Sequence, residues 1–159
     1  MPRAQSAGVL LYRRNGAAME VLLVHPGGPF WARKDEGAWS IPKGEFSDDE
    51  APAAAARREF TEETGIELPE ALLPLTPVAQ SRGKTVHPFA VERDLDVTAI
   101  NSNTFTLEWP PRSGRMQSFP EIDRAAWFTL VEAQRKIVAG QRPILDELGE
   151  YVMTGGKES

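Results

Sequence analysis

Three glutamates carry the strongest chemical signal in this chain: Glu59, Glu62 and Glu63, spaced i, i+3 and i+4. On a helix that spacing brings all three carboxylates to one face. Like charges so placed weaken a helix by a few tenths of a kcal/mol per pair. They also sit toward the C-terminal end, where the helix dipole disfavours anions. Taken alone, the cluster reads as a solvated acidic face with Arg57 and Arg58 as local partners. A cation held among the carboxylates is the other reading, and it would remove both penalties. Carboxylates without histidine or cysteine are hard oxygen donors, suited to Mg²⁺, Mn²⁺ or Ca²⁺ rather than zinc. The chain has no cysteine and only two histidines, His25 and His87. Thiol nucleophiles, Cys-ligated zinc, iron–sulfur clusters and disulfides are thereby excluded. Both histidines read as structural or loop residues.

The elements that must position these carboxylates follow from pattern. Pro52 to Thr64 is the clearest helix: Pro52 suits a first turn, four alanines follow, and Gly65 is a natural C′ residue. Ala53, Ala56, Phe60 and Thr64 share the arc that would pack on a sheet. Before it, Ala7–Arg13 and Met19–His25 read as strands, joined through Asn15-Gly16, a hairpin signal. A Gly- and Pro-rich loop leads to Trp39-Ser40-Ile41-Pro42, read as a short strand stopped by its proline. Further strands are expected over Leu75–Ser81, Val86–Arg93, Phe105–Trp109 and Ala125–Leu130. Val131–Ala139 and Pro143–Val152 read as closing helices with Gly140 between them, and Lys157-Glu158-Ser159 as a frayed tail. Strands flanking two or three helices in one chain predict an α/β or α+β layered domain.

At 159 residues the chain has the length of one domain, expected over 1–159 with a core from about 6 to 153. Met1 to Ser6 is polar and no long apolar run follows, so neither a signal peptide nor a membrane span is expected. A cytoplasmic, soluble protein is the expectation. The net charge is −5, and the excess is local. Glu45 to Glu70 holds nine of the 23 acids and only two of the 18 basic residues. A polyanion avoids such a segment, and no basic stripe with interleaved aromatics offsets it, so long nucleic acid is not an expected partner. Oligomeric state is left open.

From Gly44 the chain runs five residues to Glu50, then seven more to Arg58-Glu59-Phe60-Thr61-Glu62-Glu63-Thr64-Gly65-Ile66. This closely resembles the 23-residue box of the Nudix hydrolases, Gly-x5-Glu-x7-Arg-Glu-U-x-Glu-Glu-x-Gly-U, where U is a bulky apolar residue. All seven identities and both apolar places match. From ordinary residue usage, such a match at one start point has odds on the order of one in a billion. The Trp-x-x-Pro-Lys-Gly approach to the box, the strand ending in Trp127-Phe128 and the closing helix extend the resemblance over residues 6 to about 150.

The resemblance implies a Nudix fold, an α+β domain layered as an α/β/α sandwich around a mixed sheet, and a Mg²⁺- or Mn²⁺-dependent pyrophosphohydrolase acting on a small nucleotide. Glu59, Glu62 and Glu63 match the family's metal-binding glutamates, and the carbonyl of Gly44 matches a further ligand. A backbone oxygen reaches a cation only where no side chain crowds it, which suits glycine. Glu50 and Arg58 correspond to structural partners, and Gly65 to the helix cap. The implied reaction is attack of water on a phosphoanhydride, with Glu62 or Glu63 as candidate base. A Pro-Lys-Gly approach is similar to that of diadenosine polyphosphate hydrolases and some nucleotide-sanitising members. Dinucleoside polyphosphates and nucleoside triphosphates are therefore the expected substrates, with a nucleotide-sensing module lacking turnover as the alternative. Lys43 is a candidate phosphate ligand or a plain turn lysine. Arg115, in Arg112-Ser113-Gly114-Arg115, is a second candidate cation. Trp31, with Phe30 and Trp109, is a candidate for stacking on a base. Glu121, six residues before Trp127, is similar in offset to a carboxylate that in several family members reaches back to the metal site or acts as base; the other reading is a loop acid paired with Arg124 or solvated. Asp123 is its expected inert neighbour.

Overall fold

The computed structural model describes residues 4–80 and 83–154. The expected frayed tail and the first three residues lie outside that range, as does Ser81 at the end of one expected strand. Strand β1 (Gln5–Asn15) and β2 (Ala18–Pro26) form a hairpin closed by Gly16 and Ala17, with Gly16 at φ 65°. The turn is tighter than the sequence suggested, because Arg14 and Asn15 pair in the ladder opposite Met19 and Ala18. Strand β3 (Lys43–Phe46) pairs antiparallel with the start of β1, and helix α1 (Pro52–Thr64) follows. Two-residue strands β4 (Leu73–Pro74) and β5 (Val78–Ala79) both pair with β6 (Thr85–Glu92), which runs parallel to β1. Strands β7 (Thr104–Glu108) and β8 (Met116–Pro120) make a separate hairpin. Strand β9 (Ile122–Thr129) pairs with β2, and α2 (Leu130–Lys136) and α3 (Arg142–Met153) close the chain.

The main sheet runs β4-β6-β1-β2-β9, with β3 pairing on β1 and β5 on β6. It is a mixed sheet between helices, the α+β sandwich that the resemblance implied. β1 shows how both layers form. Its side chains alternate, so Ala7, Val9 and Leu11 pack toward α1 with Ala55, Ala56 and Phe60. Leu10 and Tyr12 pack the other way with Ile144, Leu145 and Leu148 of α3. A strand apolar on both faces must be covered on both. In α1 the expected packing arc holds except at its start: Ala53 is exposed, and Ala55 is buried instead. Gly65 caps the helix at φ 77°, its N–H donating to the Thr61 carbonyl over 2.7 Å. Trp39 and Ser40 make only single bridges, to Ile137 and Val24, rather than a strand.

Candidate functional site

Strand β3 lies along the side of α1, and this placement builds the site. A Cβ at Gly44 would fall on the carboxylate of Glu59. Glycine leaves that space to a side chain from the helix, and a larger residue would make the Glu59 carboxylate move aside. Gly44 is a strand residue, and its lack of a side chain serves Glu59. Arg58 donates from Nε and one NH2 group to both oxygens of Glu50 at 2.9 and 2.8 Å. Its remaining terminal nitrogen reaches Glu59 at 2.8 Å and Glu62 at 3.0 Å. This bidentate pair ties the loop before α1 to the helix.

The three glutamates do not converge in this conformation. Glu59 and Glu62 turn onto Arg58, while Glu63 makes no ion pair with it, and among the described residues no three acidic or histidine side chains gather as a metal cluster. The cause is the guanidinium, which screens the like charges that spacing alone would leave in conflict. Glu63 lacks that partner. Its Oε2 is buried and without a hydrogen-bond partner among the described residues. Burial first, and then the charge of Glu59, push its carboxyl up to about 8, against the opposing pull of Lys43. Burial also raises Glu59, again opposed by Arg58. An orphaned buried carboxylate oxygen beside a second carboxylate is an unusual cost, and a cation would remove it. The donors are all hard oxygens, so the residues fit Mg²⁺ or Mn²⁺.

Glu63 opens into a cavity of about 240 Å³ whose charged lining also includes Lys43 and Glu121. Trp31 lines it too, 39% exposed, with the Lys34 ammonium 5.4 Å from its ring centroid. The remaining lining is largely apolar, with Val24, Ile41, Ile122 and Val138. Four of the residues singled out from the sequence, Trp31, Lys43, Glu63 and Glu121, thus share one cavity. Burial lowers the Lys43 ammonium, and Glu63 opposes that shift. Glu121 is the single residue between β8 and β9. Its N–H donates to the Asn103 carbonyl (2.8 Å) and its own carbonyl accepts from Gly27 N–H (2.9 Å). Its charge acts on both Glu59 and Glu63.

Other expectations need correction. Arg115 lies outside the cavity lining, near the β7–β8 turn, where its carbonyl accepts from Trp109 N–H. Phe30 and Trp109 pack edge-to-face at 5.2 Å rather than lining the cavity. Asp123, the expected control beside Glu121, lies 2.7 Å from Nδ1 of fully buried His25. Sequence reasoning missed Ser40, Gln80 and Gln141 in the lining. Gln141 is fully buried and accepts the Ile41 N–H over 3.1 Å, a pairing across 100 positions that no local pattern announces.

Comparison with known proteins adds to this geometry. The family model of the NUDIX domain matches residues 2–148. An RNA pyrophosphohydrolase of Erythrobacter litoralis is 29% identical, the match covering 66% of this chain and 73% of that protein. Among solved structures, a Caenorhabditis elegans Ap4A hydrolase in binary complex superposes with TM-score 0.63 at 22% identity, covering 95% of this chain and 98% of that one. The NUDIX domain of Shewanella oneidensis NrtR complexed with ADP ribose gives 0.64 at 16% identity, covering 96% and 90%. At those identities the structural likeness speaks to the fold.

Proposed function

Because the chain belongs to the NUDIX family, whose hydrolases cleave phosphorus anhydrides, we propose that it is a divalent-metal-dependent pyrophosphohydrolase of dinucleoside polyphosphates or nucleoside triphosphates. The observation that carries the metal reading is the orphaned, buried Oε2 of Glu63 beside Glu59 and Gly44. In this proposal Glu59, Glu62, Glu63 and the Gly44 carbonyl hold Mg²⁺ or Mn²⁺, with Glu59 and Glu62 released from Arg58. When bound, such a cation supplies positive charge against phosphate oxygens and acidifies water. The remaining roles fall to side chains of the cavity. Lys43 meets a phosphate oxygen with its ammonium, and Trp31 stacks on a base at the exposed rim. Glu121 takes a proton from the attacking water, work worth roughly 10²–10⁴-fold. Glu50 and Arg58 hold the loop and helix in register.

The substrate class is supported by the names of relatives of two kinds, an RNA pyrophosphohydrolase and an Ap4A hydrolase. Both names involve nucleotide phosphoanhydrides, and a cavity with a cation at one side and apolar walls suits such a ligand. A cytoplasmic location is part of the same reading. The test is a panel of nucleoside triphosphates, dinucleoside polyphosphates and nucleotide sugars, assayed with Mg²⁺ and with chelator, with labelled water marking the attacked phosphorus. Turnover of a polyphosphate that chelation abolishes is expected. Glu62→Gln should lower it by orders of magnitude with the fold intact, and Lys43→Ala should hurt four-phosphate substrates more than a diphosphate derivative. Nucleotide binding without turnover of any member would replace the enzyme by a sensing module. Metal-independent turnover would overturn the site.

A further inference from the structure

We propose that His25 and Asp123 form a buried charged strap that holds the loop carrying Trp31 against the strand that follows Glu121. His25 is fully buried and belongs to neither the carboxylate group nor the cavity lining. Its Nδ1 lies 2.7 Å from Asp123 Oδ1, and its Nε2 lies 2.6 Å from the Lys34 carbonyl oxygen. A carboxylate and a carbonyl only accept hydrogen bonds, so a ring that makes both bonds donates from both nitrogens. The geometry is that of an imidazolium. A buried charge is tolerated when it is paired and hydrogen-bonded, and Asp123 supplies the opposite charge.

The surroundings reinforce the strap. The His25 ring meets Trp39 edge-on at 5.2 Å, and the Trp39 indole N–H donates to Asp35 over 2.8 Å. Asp35 also pairs with Lys136 of α2, and Arg124 lies 5.3 Å from the Trp39 ring and 3.8 Å from Asp123. Asp35 and Asp123 thus each have a basic partner.

What the strap joins gives it a purpose. The Lys34 N–H donates to the Trp31 carbonyl at 2.9 Å, so fixing the Lys34 carbonyl fixes the turn that carries Trp31. On the other side, Asp123 stands two residues after Glu121 in the strand whose ladder with β2 shifts register between His25 and Pro26. Gly27 adds its bond to the Glu121 carbonyl at that same shift. Trp31 and Glu121, ninety positions apart, thus face one cavity because both their segments are bound to one ring. His25 is a positioning residue: it touches no substrate and acts through the two segments. Its effect on turnover rests on the proposed function, but the strap itself does not.

The strap is tested first without catalysis. Nitrogen-15 spectra of the His25 ring in the intact chain at neutral pH should show a proton on both nitrogens. In Asp123→Asn the amide can donate to the ring, so Nδ1 should lose its proton. A wild-type ring with one bare nitrogen would overturn the charged strap. Hydrogen exchange then reads the mechanics. In Asp123→Ala, amides of residues 27–38 should exchange at least about tenfold faster while β1 amides keep their protection. His25→Gln should do the same if it folds, and the double variant should add nothing, since both remove one device. Unchanged exchange over 27–38, or a uniform rise across the chain, would refute a local strap. If the protein turns over nucleotides, Asp123→Ala should lower kcat and raise KM together. Inactivity of the wild type leaves the spectra and exchange intact as tests, so the two readings fail separately.

Discussion

Among the described residues Glu63 keeps a carboxylate oxygen buried without a hydrogen-bond partner, and the burial of that carboxyl gives the protein a pH dependence. Its ordinary value of 4.5 applies in the unfolded chain, and folding pushes it up to about 8. Between those values the folded chain holds a proton that the unfolded chain has released. Rising pH therefore destabilises the metal-free protein through this window, and Glu59, also raised, adds with the same sign. Thermal melts in chelator should show Tm falling from about pH 5 to about pH 8, and Glu63→Gln should flatten the slope. Mg²⁺ should raise Tm more at the upper end, because the cation replaces the proton. A slope unaltered in Glu63→Gln would place the titration elsewhere. Glu121 is held differently, by its backbone on both sides. Its conversion to Gln should lower kcat at least about tenfold with little change in KM, since the fixed backbone keeps the cavity shape. Wild-type kcat across pH in Glu121→Gln would return the base to the helix.

At the scale of elements, the join between β3 and α1 is the sensitive one. Gly44→Ala would drive a methyl into the Glu59 carboxylate. The expected result is a displaced Glu59, a stability loss of about 1–3 kcal/mol from overpacking, and activity reduced beyond what that loss explains. Denaturant titration beside a rate measurement separates the two, and wild-type activity in Gly44→Ala would mean Glu59 has no need of that space. The helix itself was legible: Pro52, the alanines and Gly65 mark its ends, and the spaced glutamates mark its chemistry. Strand β3 was not, because Lys-Gly-Glu-Phe has neither alternation nor β-branched residues, and its pairing with β1 supplies what the local pattern lacks. Strand β8 hid for a related reason, its exposed Met-Gln-Ser-Phe-Pro run having little apolar signal. Of the expected strand over Leu75–Ser81 only Val78–Ala79 pairs as strand, after Pro77, while β4 forms just ahead of it at Leu73–Pro74. The cavity residues Glu63, Lys43, Glu121 and Trp31 were each nameable from motif or composition. That Arg58 would gather two glutamates, or that His25 would bind Asp123, depends on rotamers and on contacts across the fold that no spacing encodes.

The whole molecule is organised on β1, which pairs with β6 on one edge and with β3 and β2 on the other, and feeds both cores. Leu10, fully buried on the α3 side, is a measure of that dependence. Leu10→Ala should cost about 2–5 kcal/mol, a large share of the roughly 5–15 kcal/mol that holds a domain of this size. Denaturant midpoints will read it, and a loss below about 1 kcal/mol would mean the helix layer collapses to fill the gap. The parallel pairing also has a history in time. Gln5 finds its place opposite Thr85, so the central strand is made early and completed late. At roughly 5–20 residues per second on the ribosome, several seconds pass while that apolar edge waits for its neighbour. During that interval the nascent chain carries an unpaired hydrophobic template, and a message cut short before β6 would release it permanently open to aggregation.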